Sequence, residues 1–288
     1  MMDVSVIIVN YNTRGLLADC LRTVREHTRS CSYEVIVVDN ASTDGSEQLA
    51  VEFPWIKWIS SGANLGFGRA NNLGVESATG KYLFFLNSDT LLGNDAISVF
   101  FRYMETHGKE VGAIGTFLTD AAGRPALSGG CFPSVAMEWR YLFGRVFRRS
   151  AVPSAAEVCD VDMITGADLF MPKSVFVNLG GFDPAIFMYY EETDLQLRMR
   201  RMGLKARLVP GASIKHLEGG SFANKGLTPA RFVMSQKSYN YYVGKHYSGL
   251  ARAWYRFNMV LLRATLLFAK WPFAERLHAY WTVVTNRK

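Results

Sequence analysis

Three short apolar runs in the sequence each end in groups suited to binding a ligand. Val4 to Val9 leads into Asn10-Tyr11-Asn12, Val35 to Val38 into Asp39-Asn40-Ala41-Ser42-Thr43-Asp44, and Tyr82 to Leu86 into Asn87-Ser88-Asp89. Core packing does not require acids and amides after every strand, so their recurrence points to a site. Asp39 could accept the imide N–H of uracil or thymine. As an ordinary turn residue it would be satisfied by nearby backbone N–H groups instead. Asp89 could hold a divalent cation that bridges a diphosphate. Asp44, or Ser42 or Thr43, reads as the cap of the following helix.

A second acidic group lies far downstream. Tyr189-Tyr190-Glu191-Glu192-Thr193-Asp194 places three carboxylates within four residues at a helix start. The helix dipole alone would favour acids there. Mutual repulsion would also raise at least one carboxyl pKa, which suits a general base. His216 closes a short apolar stretch after Pro210-Gly211, and Lys215 beside it reads as solvated.

These groups need a scaffold that brings strand ends together. Val4–Val9, Val35–Val38, Trp55–Ile59, Tyr82–Leu86 and Val111–Thr116 read as strands. Between them, Leu16 to Val24, Asp44 to Val51, Phe67 to Ala78 and Ala96 to Met104 show helical spacing. Fully apolar strands alternating with helices predict an α/β fold with a mostly parallel sheet covered on both faces. Ligands of such sheets sit beyond the carboxyl ends of the strands, where these polar groups fall. After residue 117 the alternation weakens. Val158 to Met171 reads as strand, Glu191 to Met202 as helix, Ala206 to Val209 as strand, 219–228 as a polar Gly-rich loop, and the last sixty residues as helical.

Composition narrows the function. The 288 residues are 49% hydrophobic and 20% charged, which excludes a disordered or collagen-like chain. The net charge of +7 lies entirely in the tail, where Lys245 to Lys288 holds eight Lys or Arg against Glu275. The body is balanced, so nucleic acid is not an expected partner. Read as one helix, Lys245 to Lys270 would align Lys245, Arg252, Arg256, Arg263 and Lys270 within about 40°. Such a helix could lie on an anionic membrane surface, or pack into the protein or a homodimer. Cys20, Cys31, Cys131 and Cys159 show no CxxC spacing and read as reduced thiols. Neither a signal peptide nor an apolar run of membrane-spanning length is expected.

The motifs Ser5–Asn12, Val37–Asp44, Asn64-Leu65-Gly66-Phe67-Gly68-Arg69-Ala70-Asn71-Asn72, Phe85–Thr90 and Gly180-Gly181-Phe182-Asp183 with Tyr189–Arg198 resemble the family 2 glycosyltransferases, nearest the rhamnosyltransferase-like branch. The resemblance covers roughly residues 3–220. It implies a GT-A fold over residues 1–228, with a basic helical extension over 229–288. It also implies inverting transfer from a nucleoside-diphosphate sugar, with a dTDP- or UDP-sugar favoured and rhamnose or another hexose as the sugar. The acceptor would be a glycan or polyprenyl-linked hydroxyl, in cell-surface polysaccharide synthesis at the cytoplasmic face of a membrane.

By the same resemblance, Asn10, Asn12, Asp39, Asn64, Arg69, Asn71, Asn87, Ser88 and Asp89 would bind the nucleotide sugar. Asp89 and His216 would ligate Mg2+ or Mn2+. Glu192 would be the base, with Glu191 as runner-up and Asp194 orienting the acceptor or capping the helix. The chain departs from the family pattern at Asn87, where the first Asp of a DxD motif is usual, and at Glu192, where Asp is common. It also has Asn71 where Arg is common. A non-catalytic nucleotide-binding scaffold is the rival reading. A sugar nucleotidyltransferase fits less well, because Asn10 to Gly15 forms no triphosphate loop.

Overall fold

Runs rich in β-branched and aromatic residues, too short for stable helices, fold as strands throughout the first half of the chain. The structure is a computed structural model and describes residues 2–136, 139, 157–217, 228–268 and 270–285. The first stretch comprises β1 Val4–Asn10, α1 Arg14–His27, β2 Tyr33–Asp39, α2 Leu49–Glu52, β3 Lys57–Ser60, α3 Phe67–Glu76, β4 Tyr82–Asn87, β5 Thr90–Leu92, α4 Ala96–His107 and β6 Val111–Gly115. The second comprises β7 Gly129–Gly130, β8 Cys159–Val161, β9 Met163–Ile164, β10 Asp168–Pro172, α5 Lys173–Asn178, α6 Glu191–Arg201, β11 Lys205–Leu208 and β12 Ile214–His216. Three helices follow: α7 Pro229–His246, α8 Gly249–Arg263 and α9 Phe273–Thr285.

Eight strands form one sheet in the order β3-β2-β1-β4-β10-β6-β11-β8. The β1–β2, β1–β4, β2–β3 and β6–β11 pairs are parallel, while β10 is antiparallel to both β4 and β6 and β8 is antiparallel to β11. The sheet is therefore mixed: six strands share one direction, and β10 and β8 oppose it. Side chains of β1 alternate between two apolar layers. Val4, Val6 and Ile8 face the layer with Leu17, Leu21 and Phe100, and Ile7 faces the layer with Ala70, Phe176 and Leu195. Both faces are covered, which explains why these strands are apolar without alternation.

Three expected elements differ. The helix expected over 44–51 is a 3₁₀ turn, Ser46–Gln48, followed by the single turn of α2, because Gly45 at φ +80° sets the entry. The strand expected over 158–171 is broken into β8, β9 and β10. The helix expected over 245–270 is interrupted at Tyr247-Ser248, with Gly249 at φ +53°. Lys245 therefore belongs to α7, and Lys270 lies beyond α8, so the five-residue basic stripe does not form. Most of the Arg- and aromatic-rich stretch at 137–149, and the Gly-rich loop at 219–227, fall outside the described residues.

The chain divides into two compact units. The first is Met1–Cys131, Val152–Ala185 and Glu191–Asn224, and contains the sheet. The second is Phe132–Ala151, Ile186–Tyr190 and Lys225–Lys288. Within it α7 and α9 pack together, and Ser238 Oγ donates to Met188 O at 2.7 Å.

Phe170 is fully buried and lies 5.3, 5.8 and 5.6 Å from the rings of Tyr82, Phe84 and Phe100. Phe170→Ala should lower unfolding stability by about 3–5 kcal/mol, read from urea denaturation of the purified chain.

Candidate active site

The parallel register sets the site. Asn10 is the Cα partner of Asp39, and Val9 is the partner of Asn87. Strands β2, β1 and β4 therefore reach their carboxyl ends side by side. Once the apolar strands are aligned for burial, the polar residues that follow must share one edge.

A chain of hydrogen bonds joins these ends. Asn10 Nδ2 donates to Asp39 Oδ1 at 3.0 Å and to Ser42 Oγ at 2.9 Å. Thr13 Oγ1 donates to Asn10 Oδ1 at 2.7 Å and lies 2.9 Å from Ser88 Oγ. Asp39 Oδ2 accepts from the Ser42 N–H at 3.1 Å. Asn12, at φ +55°, accepts from the Thr43 N–H at 2.7 Å. Asp44 caps α1 by accepting from the Arg14 N–H at 2.9 Å, and also accepts from the Ser46 N–H that starts the 3₁₀ turn. Asn40, next to Asp39, donates to Asn64 Oδ1 at 3.0 Å and accepts from the Leu65 N–H at 2.8 Å, which fixes the turn into α3.

β12 pairs antiparallel with β5, His216 opposite Thr90, which carries the imidazole to the end of β4. His216 Nε2 lies 3.2 Å from Asp89 Oδ1 and 3.4 Å from Asn87 Nδ2. A carboxylate, an imidazole and an amide are converged donors. Among the described residues no group of three or more His, Cys, Asp or Glu is assembled. A carboxylate oxygen, an amide oxygen and an imidazole nitrogen are donor types that a divalent cation accepts.

Glu191 and Glu192 open α6. Glu191 is buried, and Oε2 of each acid is shut from solvent without a hydrogen bond to any described residue. Burial pushes both carboxyl pKa values up, and the neighbouring Glu192 charge raises that of Glu191 further. Desolvation, more than the repulsion anticipated from the sequence, is therefore the main cause. Gly68 in the first turn of α3 lies against this helix start. A Cβ there would meet Glu191 Cβ at 3.5 Å and Phe182 Cβ at 3.0 Å. Tyr189 and Tyr190, at φ +66° and +69°, give the chain a strained approach to the pair.

Several residues expected at the ligand are committed elsewhere. Asp194 is fully buried and is gripped by Arg198 Nε and Nη2 at 2.9 and 2.7 Å, while Arg198 also donates to Leu179 O and Gly181 O. Through Arg198, that carboxylate ties α6 to the Gly180-Gly181 turn. Asn71 is buried and donates to Phe67 O within its own helix at 3.0 Å. Arg69 is exposed on α3, and Asn64 shapes the turn before it. Ser88 bonds toward Thr13.

Other contributors were not identified from the sequence. Asn72 accepts from the Phe182 N–H at 3.0 Å and donates to Phe182 O at 2.8 Å. Gln196 pairs with both backbone groups of Ile164 at 2.8 Å. The i,i+4 spacing of Asp194 and Arg198 was a legible signal for their pairing. Asp168 had none: it sits in an apolar strand, fully buried, its Oδ2 accepting from the Thr116 N–H at 2.6 Å and its Oδ1 without a hydrogen-bond partner among the described residues. Burial pushes its pKa up to about 7.

The family model described as Glycosyl transferase family 2 matches residues 5–144. The chain is 27% identical over 222 residues to Rhamnosyltransferase WbbL of Escherichia coli K12, covering 74% of this chain and 83% of that protein. It is 27% identical over 242 residues to the N-acetylglucosaminyl-diphospho-decaprenol L-rhamnosyltransferase of Mycobacterium tuberculosis, covering 76% and 77%. Among solved structures, the mannosyltransferase PcManGT of Pyrobaculum calidifontis, in complex with GDP-Man and Mn2+, superposes with a TM-score of 0.58 at 18% identity, over 99% of this chain and 81% of that one. This similarity assigns the fold.

Two outcomes test the buried charges. Arg198→Ala removes both guanidinium hydrogen bonds from the buried Asp194 carboxylate, and should cost about 3–5 kcal/mol of stability in denaturant titrations. Asp168, whose pKa is raised on folding, adds stability below its unfolded value of 3.8 that is lost as pH rises through about 7. Asp168→Asn should therefore flatten the fall in melting temperature between pH 4 and 8 relative to the parent.

Proposed function

We propose that this chain, whose residues 5–144 match the Glycosyl transferase family 2 model, transfers a sugar, rhamnose or another hexose, from a nucleoside-diphosphate sugar to a hydroxyl of a glycan or lipid-linked acceptor with inversion at the anomeric carbon. The reading extends to cell-surface polysaccharide synthesis at a membrane. The observation that carries it is the hydrogen-bonded series Asp39–Asn10–Thr13–Ser88, which runs from a base-binding carboxylate to the Asn87/Asp89/His216 donors. The rhamnose assignment is supported by the two rhamnosyltransferase relatives, and the lipid-linked acceptor by the name of the mycobacterial one.

Asp39, held by Asn10 and the Ser42 N–H, offers its carboxylate to the imide N–H of the base. Asp89, His216 and the Asn87 amide would hold Mg2+ or Mn2+. That ion would neutralise charge on the departing diphosphate. Glu192 takes the proton of the acceptor hydroxyl as its oxygen attacks the anomeric carbon. The bond from that carbon to the diphosphate oxygen breaks on the opposite face, so configuration inverts. A carboxylate kept out of water has a raised proton affinity, which makes it a stronger base once ionised. Glu191, raised further, holds its proton longer and spares the site a second buried charge. Asp194 and Arg198 hold the helix that presents the pair.

The deciding experiment is release of nucleoside diphosphate from dTDP-, UDP- and GDP-sugars by the purified chain, with Mg2+ or Mn2+ and a bacterial lipid extract. Release from one donor that requires metal and acceptor, and is lost in Asp89→Ala, supports the reading. Binding of nucleotide without release from any donor would instead favour a non-catalytic scaffold. Glu192→Gln should reduce kcat by about 10²–10⁴-fold with little change in donor KM. Asp39→Ala should raise donor KM while sparing the charge distribution at the reacting carbon.

A further inference from the structure

The second unit presents apolar side chains to solvent in an ordered pattern. On α8, Leu250, Trp254, Phe257 and Leu261 are 50–90% exposed. At about 100° per residue they fall within an arc of roughly 60°. Beside and behind this row, at about 70–170° from its centre, Asn258, Leu262 and Met259 are buried, and Trp139 Nε1 donates to Asn258 Oδ1 at 2.7 Å. On α9, Phe273 and Trp281 are 67% and 59% exposed. Water-facing aromatic and aliphatic groups in such a row need a partner surface.

The arginines do not share this row. Arg252, Arg256 and Arg263 lie roughly 200° round α8 from it. Arg256 donates to Val284 O at 3.4 Å, Arg263 sits 6.0 Å from the Phe232 ring centre, and Arg276 of α9 donates to Leu267 O at 2.8 Å. A basic stripe facing lipid headgroups, anticipated from the sequence, is thus replaced by an apolar face on a unit whose long-range charge is positive.

We infer that the apolar face of α8, with Phe273 and Trp281 of α9, inserts shallowly into an anionic lipid bilayer surface. Charge selects this occupant. The segment from residue 245 onward holds eight cationic side chains and one acid, and α8 itself has no acid. A second copy would bring the same positive charge against it, whereas anionic headgroups neutralise it within the reach of unscreened charge, about 8–10 Å. Trp, Phe and Leu are the side chains that settle at the headgroup–acyl boundary, and no described helix is long and apolar enough to cross a membrane. The inference deepens the membrane setting of the proposed function. Its test reads binding without catalysis, so either reading can fail alone.

The experiment is co-sedimentation of the full chain with phosphatidylcholine vesicles containing 30% or no phosphatidylglycerol, with tryptophan emission recorded in parallel. The expected result is a blue shift and binding to the anionic vesicles at least tenfold tighter than to the neutral ones, weakened by 0.5 M salt. The double variant Trp254→Glu, Phe257→Glu changes two exposed residues. It should keep its circular dichroism and its nucleotide affinity but lose at least tenfold in vesicle binding. Absence of binding by the parent chain, or unchanged binding by the folded variant, would overturn the inference. So would light scattering that shows a dimer which the variant dissolves, because the face would then belong to a second copy.

Discussion

The register of β1 against β2 and β4 is the constraint on which the rest of the site depends. Parallel pairing of three apolar strands leaves little freedom over where their polar successors emerge, since a slip along the strands would draw those polar groups into an interior that is apolar on both faces. Asn10, Asp39 and Asn87 arrive together because Ile7, Val37 and Phe85 must be buried together. The hydrogen bonds from Asn10 to Asp39 and from Thr13 to Asn10 then use that alignment, and Thr13 links it to Ser88.

The second half of the first unit completes the site by different means. β10 enters the sheet antiparallel and places Asp168 beneath the strand ends, while β12 turns back on β5 to bring His216 to Asp89. α6 delivers Glu191 and Glu192 with their outer oxygens unpartnered among the described residues, and its Asp194–Arg198 pair anchors the helix to the preceding glycine turn. Gly68 is part of the same construction, since any side chain there would press on Phe182 where α3 and α6 meet. Buried charge at such a site is tolerated because each carboxylate is either paired, as Asp194 is, or pushed toward its neutral form, as Glu191 is.

The second unit follows another logic. Its helices bury Tyr239, Tyr242, Val243, Met259 and Leu262 among themselves, yet α8 leaves a row of large apolar groups in water. Arg252, Arg256 and Arg263 lie on one side of α8 and its exposed apolar row on the other. Arg256 and Arg276 donate to carbonyls and Arg263 lies against the Phe232 ring, while the apolar row faces water.

The sequence by itself determined the alternation of strands and helices, the three polar strand ends, the acidic helix start and the positive tail. These are local properties: apolar run length, residue type and spacing are written in consecutive residues. The tertiary structure alone decided which polar groups face the site. Asp39 and Asp89 stay at the strand edge, whereas Asp194 is spent on Arg198 and Asn71 on its own helix. It also decided the roles of Asp168 and Asn72, because the burial of one and the partner of the other come from residues 52 and 110 positions away. The break before α8 is local instead: Tyr247 and Ser248 take extended backbone and Gly249 stands at φ +53°. Helical periodicity continues across it in the sequence, but the chain turns there, and that turn determines which face of the tail meets its surroundings. Long-range packing sets desolvation and hydrogen-bond partners, and no local spacing rule contains that information.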